Sequence, residues 1–240
     1  MKETITFVDG DSIAYAAGYT EHPAQMEMAV DSYIADIRSA TQCDKMVGFV
    51  ENPDGKCNFR KWVAMTKPYK GNRAGKEKPP FMVDAKRYMK QRHGFQFVSH
   101  CESEDAASIS ANAHGLEHSI IAAIDKDVHQ VGGRFYDYRK KEWLVFTEEQ
   151  ADRLLYKQIL TGDSVDNIPG IPKCGPVKAE KCLTREDVDS SLSMAMLVAL
   201  AYKEAGLSYA YLLEQARLIY ILRKRGEVFT PVTLEQWEAL

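Results

Sequence analysis

Ser119-Ile120-Ile121-Ala122-Ala123-Ile124-Asp125-Lys126-Asp127 is the most strand-like run in the chain, and it ends on two carboxylates. A continuous apolar run rich in β-branched residues and closed by charge reads as a strand buried on both faces, the pattern of a parallel sheet. Two earlier runs follow the same plan. Thr4 to Val8 ends at Asp9-Gly10-Asp11, and Lys45 to Val50 ends at Glu51-Asn52-Pro53. Between and after them the spacing predicts helices over Gln25–Ser39, Met82–Arg92 and Glu104–Ala113, the last with Ser103 as its cap. Phe95 to Val98 reads as a short strand, and Arg134–Tyr138 with Glu142–Phe146 as a hairpin.

Thr147-Glu148-Glu149-Gln150 is a capping-box sequence that opens a helix through Leu160. Ile168 to Leu183 reads as two short helical pieces around Pro-Gly turns, and helices dominate Ser191 to Arg225. Strands alternating with helices and then a helical tail predict an α/β fold with a mostly parallel central sheet and a helical carboxy-terminal part. The expected division is 1–147 for the α/β core and 148–240 for the helical part.

The chain has 240 residues, 45% hydrophobic and 27% charged, with a formal net charge of −3. Mean hydropathy is −0.35 and the pI is about 6.1. The longest apolar stretch, Met194 to Tyr202, is about half a membrane span, and the opening residues carry no signal-peptide pattern. Five cysteines, 43, 57, 101, 174 and 182, form an odd set without C-x-x-C or zinc-finger spacing, which predicts free thiols in a cytoplasmic protein.

A net charge of −3 counts against a nucleic-acid binder only until it is partitioned. Lys56 to Arg92 holds twelve basic residues against Glu77 and Asp84, a segment of +10 within a remainder of −13. Alone, such a run reads as a solvated loop. Beside clustered carboxylates it reads as a polyanion contact.

The carboxylates fall at the ends of strands. Asp9 and Asp11 follow the first and Glu51 the second. Glu102, Glu104 and Asp105 follow the third, Asp125 and Asp127 the fourth, and Asp163 with Asp166 open a turn after a helix. The carboxyl ends of parallel strands share one edge, where sites assemble. So many acids cannot stay ionised together without cations, and oxygen-only donors favour Mg²⁺ or Mn²⁺ over zinc. Gly71-Asn72-Arg73-Ala74-Gly75-Lys76 fails as a phosphate loop, being one residue short, with Glu77 where Ser or Thr would hold Mg²⁺. No G-x-S-x-G occurs, and His129 is a lone candidate base.

Lys67-Pro-Tyr-Lys-Gly-Asn-Arg73, Glu102-Ser-Glu-Asp105, Ile124-Asp-Lys-Asp127 and Gly162-Asp-Ser-Val-Asp-Asn-Ile-Pro-Gly170 together resemble the flap endonuclease/5′–3′ exonuclease family, and Gln215-Ala-Arg-Leu-Ile-Tyr-Ile-Leu-Arg-Lys-Arg225 is similar to its short bacteriophage members. The resemblance spans about residues 5 to 185. It implies a PIN-like/resolvase-like core, a helical arch over 60–92, and a helix–three-turn–helix element at 168–183. It implies one metal on Asp9, Glu51, Glu102 and Glu104, and another on Asp105, Asp125, Asp127, Asp163 and Asp166. Asp11 is additional to the commonest motif, and Glu51 stands where the family carries Asp.

By the same resemblance Lys70 and Arg73 meet the scissile phosphate, with Tyr69 packing near the frayed end. Arg60, Lys67, Lys76, Gly170, Ile171, Gly175 and Lys178 are the implied DNA contacts. Val177 stands where the family's Lys is usual. Implied cofactors are two Mg²⁺, replaceable by Mn²⁺, and a K⁺ at the helix–three-turn–helix. Implied partners are duplex DNA with a 5′ end, flap or nick, RNA–DNA hybrid, and replication proteins, in the host cytoplasm if the chain is phage-encoded, with no membrane. The rival readings are a PIN-type ribonuclease and a non-catalytic DNA end-binding protein.

Overall fold

A computed structural model describes residues 3–55, 58–185 and 193–240; Lys56 and Cys57 lie outside them, as do 191–192 at the start of the helical tail. In chain order the first elements are β1 (Ile5–Asp9), α1 (Asp11–Ala17), α2 (Pro23–Thr41), β2 (Lys45–Glu51), α3 (Arg60–Val63) and α4 (Met82–His93). Then come β3 (Gln96–Val98), α5 (Ser103–His114), β4 (Ser119–Ala122), β5 (Gly133–Asp137) and β6 (Glu142–Phe146). The helices α6 (Glu148–Thr161), α7 (Pro176–Leu183), α8 (Met194–Glu204), α9 (Tyr209–Ile219) and α10 (Leu234–Ala239) complete the chain.

The chain forms two compact units; one boundary between them falls at 148/149, beside the expected 147/148, and the segments 59–75 and 221–225 belong to the unit on the other side of it. The first comprises residues 1–58, 76–148 and 221–225, and the second 59–75, 149–220 and 226–240. The basic segment is therefore split: Lys67, Lys70 and Arg73 belong to the second unit, and Lys76 to Arg92 to the first. The expected arch over 60–92 is not one element.

The first unit is built on a six-stranded sheet in the order β3-β2-β1-β4-β5-β6. All neighbours are parallel except the β5–β6 hairpin. Central β1 is buried along its whole length, which is why it reads as an unbroken apolar run. Adjacent residues face opposite sides. Val8, Val50, Ile120 and Ala122 pack under α1, α2 and α4, while Phe7, Phe49, Ile121 and Ala123 pack under α5. Helix α2 buries Met26, Val30, Ile34, Ile37 and Thr41, a single helical face, and stops at Gln42 in the left-handed region.

Two sequence expectations are corrected here. Glu102, not Ser103, caps α5, in a capping box completed by Asp105. Ile168–Leu183 contains one helix, α7, rather than two pieces; Pro169 and Pro172 lie in irregular backbone before it.

In the second unit α6 is joined to α7 by a loop in which two glycines touch. Gly162 (φ +69°) and Gly170 (φ +59°) are so close that a Cβ on Gly162 would lie 2.6 Å from the Gly170 nitrogen. Tyr202 of α8 donates to the Ile159 carbonyl at 2.6 Å and Tyr211 of α9 to the Gly170 carbonyl at 2.9 Å, tying the loop to the following helices. Cys43, Cys101, Cys174 and Cys182 are free thiols. Among the described residues no helix is long and apolar enough to cross a membrane.

Candidate metal centre and phosphate clamp

The strand order reverses at the β1–β4 junction, and a doubly wound sheet opens a crevice at the carboxyl ends of its strands at that point. Asp9 ends β1 there, and Asp125 follows β4. Gly10 makes the turn between Asp9 and Asp11: its N–H donates to the Phe49 carbonyl at 2.8 Å. A Cβ on Gly10 would stand 2.6 Å from Val50 Cγ1 and 2.8 Å from the Phe49 oxygen, so no larger residue fits between the two aspartates.

Asp9 is 2% exposed. Burial first, and then the neighbouring Asp11 charge, push its carboxyl up to about 7; Asp125 adds to the rise, while hydrogen bonds from Ser103 and the Asp11 backbone oppose it. Ser103 Oγ lies 2.5 Å from Asp9 Oδ1 and 2.9 Å from Asp11 Oδ2. A serine hydroxyl has one proton to give. Two such contacts are satisfied together when a carboxyl carries a proton as well, and Asp9 is the acid whose surroundings favour that.

Asp11 is fully engaged. It accepts the Glu51 backbone N–H at 3.2 and 3.3 Å and contacts the Lys86 ammonium at 2.6 Å. Lys86 also lies 3.8 Å from Glu51. Along the chain Lys86 is one charge in a basic run, yet it is buried on the inner face of α4 with Ala85 and Met89.

On α5, Glu102 accepts Asn58 Nδ2 at 2.9 Å. Asp105, wholly buried, accepts the backbone N–H groups of Glu102 and Leu222, both at 3.0 Å. Its carboxylate fixes the start of α5. Glu104 is half-buried beside it. Asp125 is exposed and accepts the Asp127 N–H at 2.9 Å in a turn that presents both acids after β4. Among the described residues no three His, Cys, Asp or Glu side chains already converge as a closed ligand cage. The donor set nevertheless fits a hard divalent cation: it is all oxygen, and a carboxyl pushed to about 7 marks a pocket short of positive charge.

The second unit holds the other expected site residues. Asp166 accepts Tyr69 Oη at 2.9 Å and Arg73 Nη2 at 2.6 Å, and Lys70 Nζ lies 3.5 Å away. The Lys70 ammonium also sits 5.0 Å over the Tyr69 ring. Asn72 Nδ2 donates to the Ser164 carbonyl at 2.8 Å, and Asn167 Nδ2 to the Pro68 carbonyl at 2.9 Å, locking the Lys67–Arg73 loop to the Asp163–Asn167 turn. Asp163 accepts the Val165 N–H at 2.7 Å and pairs with Ile168 through an isolated bridge.

Three expected DNA contacts are otherwise occupied. Arg60 is 1% exposed and donates to the Leu218 and Tyr220 carbonyls at 3.0 and 2.7 Å. The Gly170 N–H donates to Gln215 Oε1 at 3.1 Å, and the Ile171 N–H to the Leu160 carbonyl at 2.9 Å. Neither amide is available to a phosphate. Lys67, Lys76, Gly175 and Lys178 are exposed.

The fold is that of the 5′-exonucleases and flap endonucleases of known structure: a mostly parallel α/β core followed by helices. Bacteriophage T5 5′-exonuclease with bound zinc is similar over 98% of this chain and 96% of that one, with 14% identity and a TM-score of 0.68. The bacteriophage T5 D15 flap endonuclease in complex with DNA and metal ions covers 90% and 88%, at 12% identity and a TM-score of 0.63. The catalytic core of Rad2 in complex with DNA substrate covers 97% and 83%, at 14% identity and a TM-score of 0.53. No family model matches the chain, and no curated protein matches it by sequence. At these identities the likeness is one of fold.

Proposed function

We propose that the chain is a metal-dependent 5′–3′ nuclease that hydrolyses phosphodiester bonds of DNA and leaves 5′-phosphorylated products. The observation that carries this reading is buried Asp9 at the switch point of the sheet, held up to about 7 among further acids. Its support from outside the chain is a fold shared with nucleases solved with metal ions and DNA.

Asp9, Glu102, Glu104, Asp105, Asp125 and Asp127 would hold the metal. Bound there, two Mg²⁺ ions, or Mn²⁺ in their place, would supply an activated water and stabilise the departing 3′-oxygen. Asp9 would serve as a ligand in its deprotonated form, and Ser103 would donate its single proton within the acidic cluster and orient the carboxylates. Within the second unit, Lys70 and Arg73 would exchange Asp166 for a phosphate of the DNA backbone. No side chain acts as nucleophile. Exposed Lys67, Lys76 and Lys178 hold the DNA backbone without reading sequence, so affinity falls steeply with salt. A K⁺ in the α6–α7 loop is a poorer fit, because the Ile168 and Gly170 carbonyls already accept from Asp163 and Tyr211.

A 5′-labelled duplex, a nicked duplex, a 5′ flap and an RNA–DNA hybrid incubated with Mg²⁺ test the proposal. Wild type releases 5′-phosphorylated fragments and Asp9→Asn does not; equal cleavage by both proteins would remove Asp9 from the reaction. Faster cleavage of single-stranded RNA than of any of these would favour the PIN-type ribonuclease.

A further inference from the structure

Lys86 places its ammonium within the acidic cluster of the first unit, and it does not lie on an exposed surface. Its side chain is 5% exposed, 2.6 Å from Asp11 and 3.8 Å from Glu51. A buried ammonium is held against a large desolvation cost only by close counter-charges. Lys86 cannot simply swing into solvent, since it leaves α4 on the same buried face as Ala85 and Met89.

Asp11 gives independent evidence. Besides Lys86 it contacts Ser103 Oγ at 2.9 Å and the Glu51 N–H at 3.2 and 3.3 Å. Both of its oxygens are therefore occupied by donors. For Asp11 to ligate a divalent ion directly, the ammonium would have to leave. It would then stand, buried and unpaired, a few ångströms from a doubly charged ion. The same ammonium faces the Glu51 carboxylate.

We propose that Lys86 is a positioning residue whose ammonium keeps Asp11 and Glu51 out of direct metal coordination, so that the ion is held by Asp9 with the acids of α5 and of the turn after β4. This rests on the metal-dependent reading above and narrows its ligand set. Lys86 replaces a metal-borne positive charge on one wall of the pocket and presets the orientation of Asp11, which in turn shares Ser103 with Asp9. Glu51, the acid found where the family carries Asp, thereby acquires a lysine partner in place of a metal.

The test is Mn²⁺ binding to the full chain, followed by the electron paramagnetic resonance signal of free Mn²⁺. Lys86→Met should bind Mn²⁺ about 10-fold more tightly than wild type, because two carboxylates become available to the ion. Lys86→Arg should bind as wild type does. Adding both Asp11→Asn and Glu51→Gln to Lys86→Met should abolish the gain. Lys86→Met binding no more tightly than wild type would overturn the proposal. Glu51→Gln provides a second arm that does not depend on the folding of a core variant: Mn²⁺ affinity should stay within about threefold of wild type, whereas loss of a true ligand would weaken it by about 10-fold or more. Absence of Mn²⁺ binding by wild type would instead defeat the metal-dependent reading itself.

Discussion

Ser103 Oγ and Asp9 Oδ1 are 2.5 Å apart, across the junction between the start of α5 and the end of β1. The contact joins residues separated by 94 positions in the chain, and it ties the orientation of a buried acid of the pocket to the first residue of a helix. Ser103→Ala should remove about 1–2 kcal/mol of stability, the cost of a buried acceptor left without its donor. It should also raise the Asp9 carboxyl further, because the serine hydrogen bond is among the interactions holding it down. Carboxyl-carbon NMR titration of wild type and variant reads the second effect directly.

The raised Asp9 carboxyl sets a pH dependence for the metal-free protein. Its folded-state value of about 7 lies above the ordinary 3.8, so the folded chain holds a proton that the unfolded chain has released. Stability from this group is fully present below the ordinary value and is lost as pH rises through 7. In chelator, the thermal midpoint of wild type should therefore fall relative to Asp9→Asn between about pH 4 and pH 7.5. Mg²⁺ should reverse part of that fall for wild type only. A difference between the two proteins that stays constant with pH would show that Asp9 does not titrate in this window.

Lys70 and Arg73 both reach Asp166, which makes that carboxylate the competitor a phosphate must displace. Arg73→Ala should weaken binding of duplex DNA and reduce the slope of log K against log salt by about 0.9, the effect of losing one phosphate contact. Asp166→Asn should lower KM for duplex DNA and steepen its salt dependence, since two cations are released toward the backbone. Loss of activity in Asp166→Asn would assign this carboxylate to the metal centre rather than to the clamp.

What sequence reading recovers is whatever depends on neighbours along the chain. The runs ending at Asp9, Glu51 and Asp125 announce strands because each is apolar on both faces, and parallel order then brings their ends to one edge. The cap of α5 differs from the expected Ser103 because the serine hydroxyl is used on Asp9, and Glu102 takes the capping position. Lys86 is invisible for a related reason. Nothing local separates it from Lys90 four residues on, and only the packing of α4 decides which of them faces inward. The family resemblance implies DNA contacts at Gly170 and Ile171, but Gln215 and Leu160, distant or on the preceding helix, claim those N–H groups.

Arg60 makes the same point in a form that can be measured. In sequence it is one of twelve basic residues in a segment of +10, and a DNA contact is the natural reading. In the structure its guanidinium is buried and bonded to the Leu218 and Tyr220 carbonyls, where the chain leaves α9. An arginine spent on two main-chain oxygens stabilises the second unit and offers nothing to a phosphate. Arg60→Met keeps most of the side-chain volume but strands both carbonyls, and should cost about 3 kcal/mol in urea unfolding. Its DNA affinity, measured below the unfolding transition, should keep the wild-type slope of log K against log salt, whereas a lost phosphate contact would reduce that slope by about 0.9. The salt slope therefore separates a structural arginine from a DNA-binding one even when both variants lose activity.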